Sequence, residues 1–171
     1  MSKLSFVQQK IKSVEEALKQ VSVWRLKEET VVFTNGCFDI LHQGHVTYLA
    51  EAAQHGQRLI VGLNTDASVK RQGKGDDRPI NNEASRAVVM ASLGFVDMIV
   101  FFDEDTPIEL IKLLSPGVLA KGADYDPDET DESSKKYIVG SKVVRQKAGS
   151  VVAIPLVEGF STTGIINKLK A

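Results

Sequence analysis

The sequence holds one cysteine among 171 residues, so no disulfide can form within the chain. No apolar run approaches the roughly 20 residues of a membrane-spanning helix, and the first ten residues lack the apolar core of a secretory signal. Basic and acidic residues balance, 21 against 22, so the chain lacks the positive field typical of nucleic-acid-binding domains. These absences predict a cytoplasmic protein that binds neither membranes nor nucleic acid, and any anion-binding site must be local.

The length is typical of one domain, which we expect to comprise an N-terminal helical extension over 1–24 and a core over 25–171. Apolar residues at helical spacing predict one amphipathic helix over 3–20. Beyond it, apolar runs alternate with helical patterns, which predicts an α/β fold: a Rossmann-like, open, five-stranded parallel sheet with helices on both faces. The predicted strands are 30–34, 58–63, 98–102, 118–120 and 151–154, and the predicted helices are 44–54, 83–93, 141–147 and two that begin near 106 and 161.

Two polar stretches interrupt this alternation. Residues 64–82 carry basic residues around Gly73 and Gly75 and predict a long functional loop. Residues 122–136 are rich in Asp and Glu and predict a solvated loop. Between them, Thr106-Pro107-Ile108-Glu109 predicts a helix start with a capping box and a proline in the first turn.

The most informative segment follows the first strand of the core and reads Asn35-Gly36-Cys37-Phe38-Asp39-Ile40-Leu41-His42-Gln43-Gly44-His45. Ligands of open parallel sheets bind beyond the carboxyl ends of the strands, and a helix N-terminus offers free N–H groups that suit phosphate. Phosphoryl or nucleotidyl transfer needs only positioning and electrostatic stabilisation, which two imidazoles can provide. Zinc binding is an alternative, but only one further His and one Cys exist to complete a ligand set. A second alternative is that the two histidines only cap the helix and pack against it.

Residues 36–45 resemble the His-X-Gly-His signature of the cytidylyltransferase-like nucleotidyltransferase superfamily, and 158–163 resemble its C-terminal Ser-Thr-Thr segment. Segments 64–71, 74–80, 104–107 and 121–125 resemble one branch, the D-glycero-β-D-manno-heptose 1-phosphate adenylyltransferases. That branch forms one half of a bifunctional heptose kinase/adenylyltransferase. The resemblance covers roughly residues 25 to 170 and does not include the kinase half, which implies a stand-alone form that works with a separate heptose kinase.

The resemblance implies transfer of AMP from ATP, accompanied by Mg²⁺, to heptose 1-phosphate, giving ADP-heptose and pyrophosphate for lipopolysaccharide core or surface glycan synthesis. It implies catalytic roles for His42, His45 and Lys74, and a Mg²⁺ position near Asp124. The implied nucleotide-binding residues are Asn35, Gly36, Cys37, Phe38, Gly44, Lys121, Gly122, Asp124, Ser161, Thr162 and Thr163. The implied sugar-phosphate-binding residues are Asp39, Asn64, Asp66, Lys70 and Arg78. Arg86 fits a surface or loop-organising ion pair at least as well as a substrate contact.

Two alternatives stay open at this point. A glycerol-3-phosphate cytidylyltransferase-like enzyme would share the histidines, and the residues alone do not separate adenine from cytosine recognition, although segment 64–80 favours the heptose branch. A non-catalytic nucleotide-binding module is the alternative of another class, and the intact His42, His45, Lys74 and Ser161 argue against it. Members of the superfamily commonly form dimers, so the N-terminal helix could contribute to a homodimer contact.

Overall fold

The structure, a computed structural model, describes residues 2–73, 75 and 77–170. Within these residues six strands form one parallel sheet in the order β1-β4-β3-β2-β5-β6. The strands are β1 (Ile11–Lys12), β2 (Val31–Gly36), β3 (Arg58–Asn64), β4 (Met98–Phe102), β5 (Val118–Gly122) and β6 (Ser150–Ile154). The helices are α1 (Lys3–Gln8), α2 (Val14–Leu26), α3 (Gln43–Ala53), α4 (Asp66–Arg71), α5 (Glu83–Ala91), α6 (Ile108–Leu114), α7 (Ser141–Gln146) and α8 (Thr162–Lys170).

Helices cover both faces of the sheet, which confirms the predicted α/β class. Successive strand residues point to opposite faces. In β3, Leu59, Val61 and Leu63 therefore join a core layer with α3 and α5, while Ile60 joins a second layer with α2 and α6. Burial on both faces is why the strands read as continuous apolar runs. No helix within the described ranges is both long and apolar enough to span a lipid bilayer.

The N-terminal segment differs from the single predicted helix over 3–20. It forms α1, then β1, then α2, and β1 pairs with β4 through Ile11 and Ile99 to add a sixth strand to the predicted five. The physical reason is a capping box that starts a new helix: Ser13 accepts from the Glu16 N–H, and the Glu16 carboxylate accepts from the Ser13 N–H. The assignment of 1–24 and 25–171 to one domain stays a prediction.

Two local predictions were also wrong. The stretch 64–82 is not a continuous loop, because Thr65 caps α4 by accepting from the Ser68 N–H. The expected capping box at Thr106 does not form, because α6 begins at Ile108 with Pro107 as its N-cap and without a side-chain cap hydrogen bond. Residues 123–136 do form a loop of turns outside helices and strands, as predicted.

The strand order creates one position where the chain reverses direction across the sheet. From β2 the chain adds β3 and then β4 on one side, and it later returns to place β5 and β6 on the other side of β2. Loops that leave β2 and β5 therefore diverge and open a crevice between them. Open α/β sheets bind ligands at such a switch point.

Candidate active site

A cavity of about 1030 Å³ opens at the carboxyl ends of the strands, at this switch point. The N-terminus of α3 lies between a wall from the β3 and β4 exits and a wall from the β5 and β6 exits. Asp66 and Lys70 do not line the cavity, so their predicted sugar-phosphate contacts stay predictions, and Lys74 lies outside the described residues. The structure brings the other predicted residues together in the lining: Asn35, Gly36, Cys37, Phe38, Asp39, His42, Gly44, His45, Asn64, Arg78, Lys121, Gly122, Asp124, Ser161, Thr162 and Thr163.

His42 is the N-cap of α3, and this role orients its ring. Nδ1 of His42 accepts a hydrogen bond from the backbone N–H of His45 at 3.4 Å. A nitrogen that accepts a hydrogen bond carries no proton, so the neutral imidazole has its N–H at Nε2. His42 therefore presents a hydrogen-bond donor from its far edge.

The two imidazoles form a stacked pair with ring centroids 3.8 Å apart and planes inclined by 19°. The pKa of His42 is lowered from its ordinary value by burial. Burial, and then repulsion from His42, lower the pKa of His45 to about 4, while the backbone of Ile40 acts in the opposite direction. Both rings are therefore neutral at physiological pH and act as N–H donors rather than as cations or proton acceptors.

Aromatic rings continue this stack at both ends. Phe38 meets His45 edge-on at 5.3 Å, and Phe160 stacks on His42 at 6.1 Å. Phe38 adopts a left-handed φ of 45°, which turns its ring back over Gly36, where a Cβ would lie 2.9 Å from the ring. Positive φ is uncommon for a bulky residue and costs free energy. The loop that carries the histidines is thus held in a strained turn beside the cavity.

Two helix N-termini line the cavity. Gly44 and His45 belong to the first turn of α3, and Thr162 and Thr163 open α8. The hydroxyl of Ser161 accepts from the Gly164 N–H at 3.0 Å and so caps α8. Each N-terminus carries a partial positive charge and free N–H groups. This arrangement suits a ligand with several phosphates that bridges the two helices.

Asp39 holds a neighbouring loop in place. Its carboxylate accepts from Arg78 Nε at 2.6 Å and from the backbone N–H groups of Ile80 and Asn81. Its side chain is fully buried. These three donors tie residues 78–81 to the loop that follows β2. Arg78 therefore reaches the cavity wall as the partner of a buried carboxylate.

Arg86 organises the strand exits from inside the protein, so its predicted loop-organising role is confirmed and a surface position is excluded. Its side chain is completely buried on α5. The guanidinium donates to the carbonyls of Cys37 (2.6 Å), Asn64 (2.9 Å) and Asn81 (3.0 Å), and to the Asp66 carboxylate (2.7 Å). The single group thereby ties the loops after β2 and β3 to the start of α5.

The Asn64 side chain is engaged in a buried chain of hydrogen bonds. Its Oδ1 accepts from Cys37 Sγ at 3.7 Å, and its amide donates to Ser68 Oγ, which donates to the Glu104 carbonyl. Cys37 is buried as well and also reaches Gln72. These contacts engage the Cys37 thiol in the packing of the cavity floor. They make Asn64 a residue that orders the cavity floor.

Several lining residues were absent from the sequence-based prediction: Tyr48, Gln72, Asp105, Thr106, Pro107, Tyr125, Tyr137, Val139, Leu156, Val157 and Phe160. Tyr48 follows His45 by three positions on α3, a spacing that places both on one helix face. That spacing would have predicted Tyr48 as a cavity residue from the sequence. The Tyr48 hydroxyl lies 2.6 Å from Thr34 Oγ1, and burial raises the pKa of Tyr48 to about 12. Tyr125 contacts the ammonium group of Lys121 with its ring face, 5.5 Å from the centroid.

Among the residues that the structure describes, no three His, Cys, Asp or Glu side chains come together as a metal-binding cluster. A structural zinc site requires four such ligands. The described part of the chain therefore offers no support for the zinc alternative. Asp124 is an exposed carboxylate on the cavity wall, beside Gly122, where its Oδ1 occupies the space that a Cβ would fill.

Comparison with known proteins places this geometry in a family context. The chain is 51% identical over 162 residues to the bifunctional protein HldE of Magnetococcus marinus and 53% identical over 161 residues to that of Campylobacter concisus. These matches cover 95% and 94% of this chain but 31% of each relative, so the chain spans about a third of the length of the curated relatives it matches.

Solved structures share the fold. A lipopolysaccharide core biosynthesis protein from Thermoplasma volcanium is 26% identical with a TM-score of 0.58, over 75% of this chain and 97% of its own. Pantothenate synthetase from Thermus thermophilus is 15% identical with a TM-score of 0.61, over 95% of this chain and 70% of its own, and shows the fold alone. The cytidylyltransferase-like family model matches residues 33–168, which include both histidines and the Ser-Thr-Thr segment. The chain therefore belongs to the cytidylyltransferase-like family.

Proposed function

We propose that the protein transfers AMP from ATP to D-glycero-β-D-manno-heptose 1-phosphate and releases pyrophosphate. The observation that carries the proposal is the stacked His42–His45 pair at the N-terminus of α3, in one cavity with the N-terminus of α8. The identity of about half to the relatives named bifunctional protein HldE, and the resemblance of segment 64–80 to the heptose branch, support the choice of acceptor.

In the proposed reaction an oxygen of the sugar phosphate attacks the α-phosphorus of ATP. The new oxygen–phosphorus bond forms as the bond between the α-phosphorus and the α,β-bridging oxygen breaks, and pyrophosphate leaves with that electron pair. The second pKa of a phosphate monoester is about 6, so the attacking oxygen is already ionised at neutral pH. The chain needs no general base, which fits two histidines whose pKa values are lowered.

His42 and His45 would donate hydrogen bonds to the equatorial oxygens of the α-phosphate and to the leaving group. Both N–H groups are pre-oriented by the α3 cap and by stacking, so little reorganisation is needed as charge develops. Ser161, Thr162 and Thr163 would bind the β- and γ-phosphates at the start of α8, and Lys121 would add positive charge from the β5 exit.

This placement fixes the side from which the acceptor enters. Attacking and leaving oxygens lie roughly in line in phosphoryl transfer. With pyrophosphate on the β5–β6 side, the acceptor would approach from the β3–β4 side. There Arg78 would meet its phosphate, and Gln72 and Asp105 offer hydrogen bonds to sugar hydroxyls.

We also propose that Mg²⁺ enters with ATP. Mg²⁺ is usually held by one or two carboxylates together with substrate phosphates and water, and the exposed Asp124 carboxylate fits such a partial ligand set. The ion would neutralise charge on the phosphate oxygens. We propose a cytoplasmic location, a heptose kinase acting in the same pathway, and a homodimer as the assembly. The product would serve lipopolysaccharide core or surface glycan synthesis.

The test is pyrophosphate release in the presence of Mg²⁺, with ATP or CTP combined with heptose 1-phosphate or glycerol 3-phosphate. Turnover only with ATP and heptose 1-phosphate is the expected result. His42→Gln and His45→Gln should each abolish it, whereas His55→Gln should not, because His55 is exposed and outside the cavity lining. Turnover with CTP and glycerol 3-phosphate would assign the sibling reaction instead. No turnover with any pair would favour a binding module.

A further inference from the structure

The ring of Phe160, from the far end of the chain, packs against the His42 imidazole. The two ring centroids are 6.1 Å apart and the planes are inclined by 25°. Offset stacking at 4.5–7 Å is the favourable arrangement for such rings. Phe160 immediately precedes Ser161, so this contact joins the segment proposed to bind the triphosphate to the histidine pair.

The close approach depends on a glycine. A Cβ on Gly44 would lie 3.0 Å from Cβ of Phe160 and 3.1 Å from Nδ1 of His42. Both distances are tighter than ordinary van der Waals contact, so any side chain at position 44 would push the two rings or the helix apart. The absence of a side chain there lets Phe160 and His42 meet over the first turn of α3.

The segment before Phe160 is anchored at a second point. Leu156 lies over Gly122 at the β5 exit, with its Cδ2 3.1 Å from the position of a Cβ on that glycine. Gly159 has a φ of 82°, a left-handed turn that glycine adopts without strain. Residues 156–160 therefore span from the β5 exit to α3, and the turn at Gly159 directs Phe160 toward His42.

We infer that Phe160 is a positioning residue that holds the His42 imidazole edge-on to the bound phosphates and excludes water from it. The catalytic consequence rests on the proposed function, whereas the ring placement is a property of the free protein. Because 41% of Phe160 is exposed, its side chain contributes little to the core, and substitutions should leave the fold intact.

The pKa of His42 reports how well its ring is shielded from water. Burial accounts for the lowered pKa of His42. Other titratable groups line the same cavity: His45 and Tyr48 on α3, Cys37 and the Asp39–Arg78 pair, Lys121 near the end of β5, Asp124 after it, Asp105 after β4, and Tyr125 and Tyr137. Removing the Phe160 ring removes none of these titratable groups, but it takes away a ring that packs on the His42 imidazole and opens that side of the imidazole to water.

The experiment is an NMR titration of the histidine ring signals in the free protein, with His42→Gln used to assign the His42 signal. In Phe160→Leu we expect the pKa of His42 to rise toward its ordinary value, because water reaches the ring. Phe160→Tyr, which keeps the ring, should titrate like the wild type. Phe6→Leu changes a comparably exposed phenylalanine on α1 and should also leave the titration unchanged.

Turnover provides the second measurement. Phe160→Leu should lower kcat about 10-fold or more with a smaller change in KM for ATP, because a misplaced imidazole loses transition-state contacts. The acidic limb of its kcat profile should move to higher pH with the His42 pKa. An unchanged His42 titration in Phe160→Leu would overturn the inference, whatever the turnover. If the titration shifts but the wild type releases no pyrophosphate, the ring placement stands and the proposed function is overturned.

Discussion

Replacing Arg86 by leucine tests how much the strand exits depend on one buried guanidinium. The wild-type side chain is completely buried and donates to three backbone carbonyls and to the Asp66 carboxylate. Leucine fills much of the volume but removes the donor that these four acceptors share. Removing one partner of a buried charge pair typically costs about 3–5 kcal/mol. The unpaired carbonyls belong to the same network, so this range already includes them.

The assay is denaturant unfolding followed by circular dichroism, with thermal unfolding as a second measurement. For a domain of this size, a loss of about 3–5 kcal/mol corresponds to a drop in Tm of ~6–20 °C. Arg71→Leu is the matched control, because Arg71 is exposed and its ion pairs with Asp103 and Asp105 lie in solvent. Exposed ion pairs contribute little to stability, so its unfolding midpoint should barely move.

Arg86→Lys keeps the prediction testable if the leucine variant does not fold. Lysine keeps the charge but has a single donor nitrogen and lacks the planar fork that reaches four acceptors. Its stability should fall between the wild type and the leucine variant. If Arg86→Leu and Arg71→Leu unfold at the same denaturant concentration, the Arg86 network does not stabilise the strand exits and the reasoning is refuted.

Three further predictions concern the site itself. Gly44→Ala should fold normally but release pyrophosphate about 10- to 100-fold more slowly, since its Cβ would displace His42 and Phe160; unimpaired turnover would contradict the close approach. The pKa of His45 is 6.5 in the unfolded chain and about 4 in the folded protein. The free energy of unfolding should therefore fall as the pH drops below 6.5, because the unfolded state then binds more protons than the folded state. Compared with His45→Gln, the wild type should lose about 1–2 kcal/mol more of its free energy of unfolding between pH 7 and pH 5, after allowance for partial exposure. Equal losses would refute the burial of a neutral ring. Tyr48→Phe should lower the free energy of unfolding by about 1–2 kcal/mol, since it leaves the buried Thr34 hydroxyl without its 2.6 Å partner. If the Thr34→Val, Tyr48→Phe double variant loses as much free energy of unfolding as the two single variants together, the two hydroxyls are not coupled and the prediction is contradicted.

Most of the fold could be predicted from the sequence because each strand leaves its signal in a few consecutive residues. Parallel strands buried on both faces must be short apolar runs, and five of the six strands were predicted for that reason. The sixth, β1, is only two residues long and exists through its pairing with β4, almost 90 positions later in the chain. The capping signals at Ser13 and Thr65 were present in the sequence, but an apolar spacing that happened to continue across Ser13 concealed the first of them.

The candidate site divides in the same way. Two histidines where a strand passes into a helix, and hydroxyl residues at the start of the last helix, were predictable because each feature lies within a few consecutive residues. The stacking of Phe160 on His42, the burial of Arg86 and the ion pair between Asp39 and Arg78 join residues far apart in the chain, and they became visible in the folded structure. An arginine on a helix is ordinarily solvated, and its burial becomes favourable only when backbone carbonyls 5, 22 and 49 positions away in the chain converge on it. That convergence depends on the order of the strands in the sheet, which no local pattern encodes.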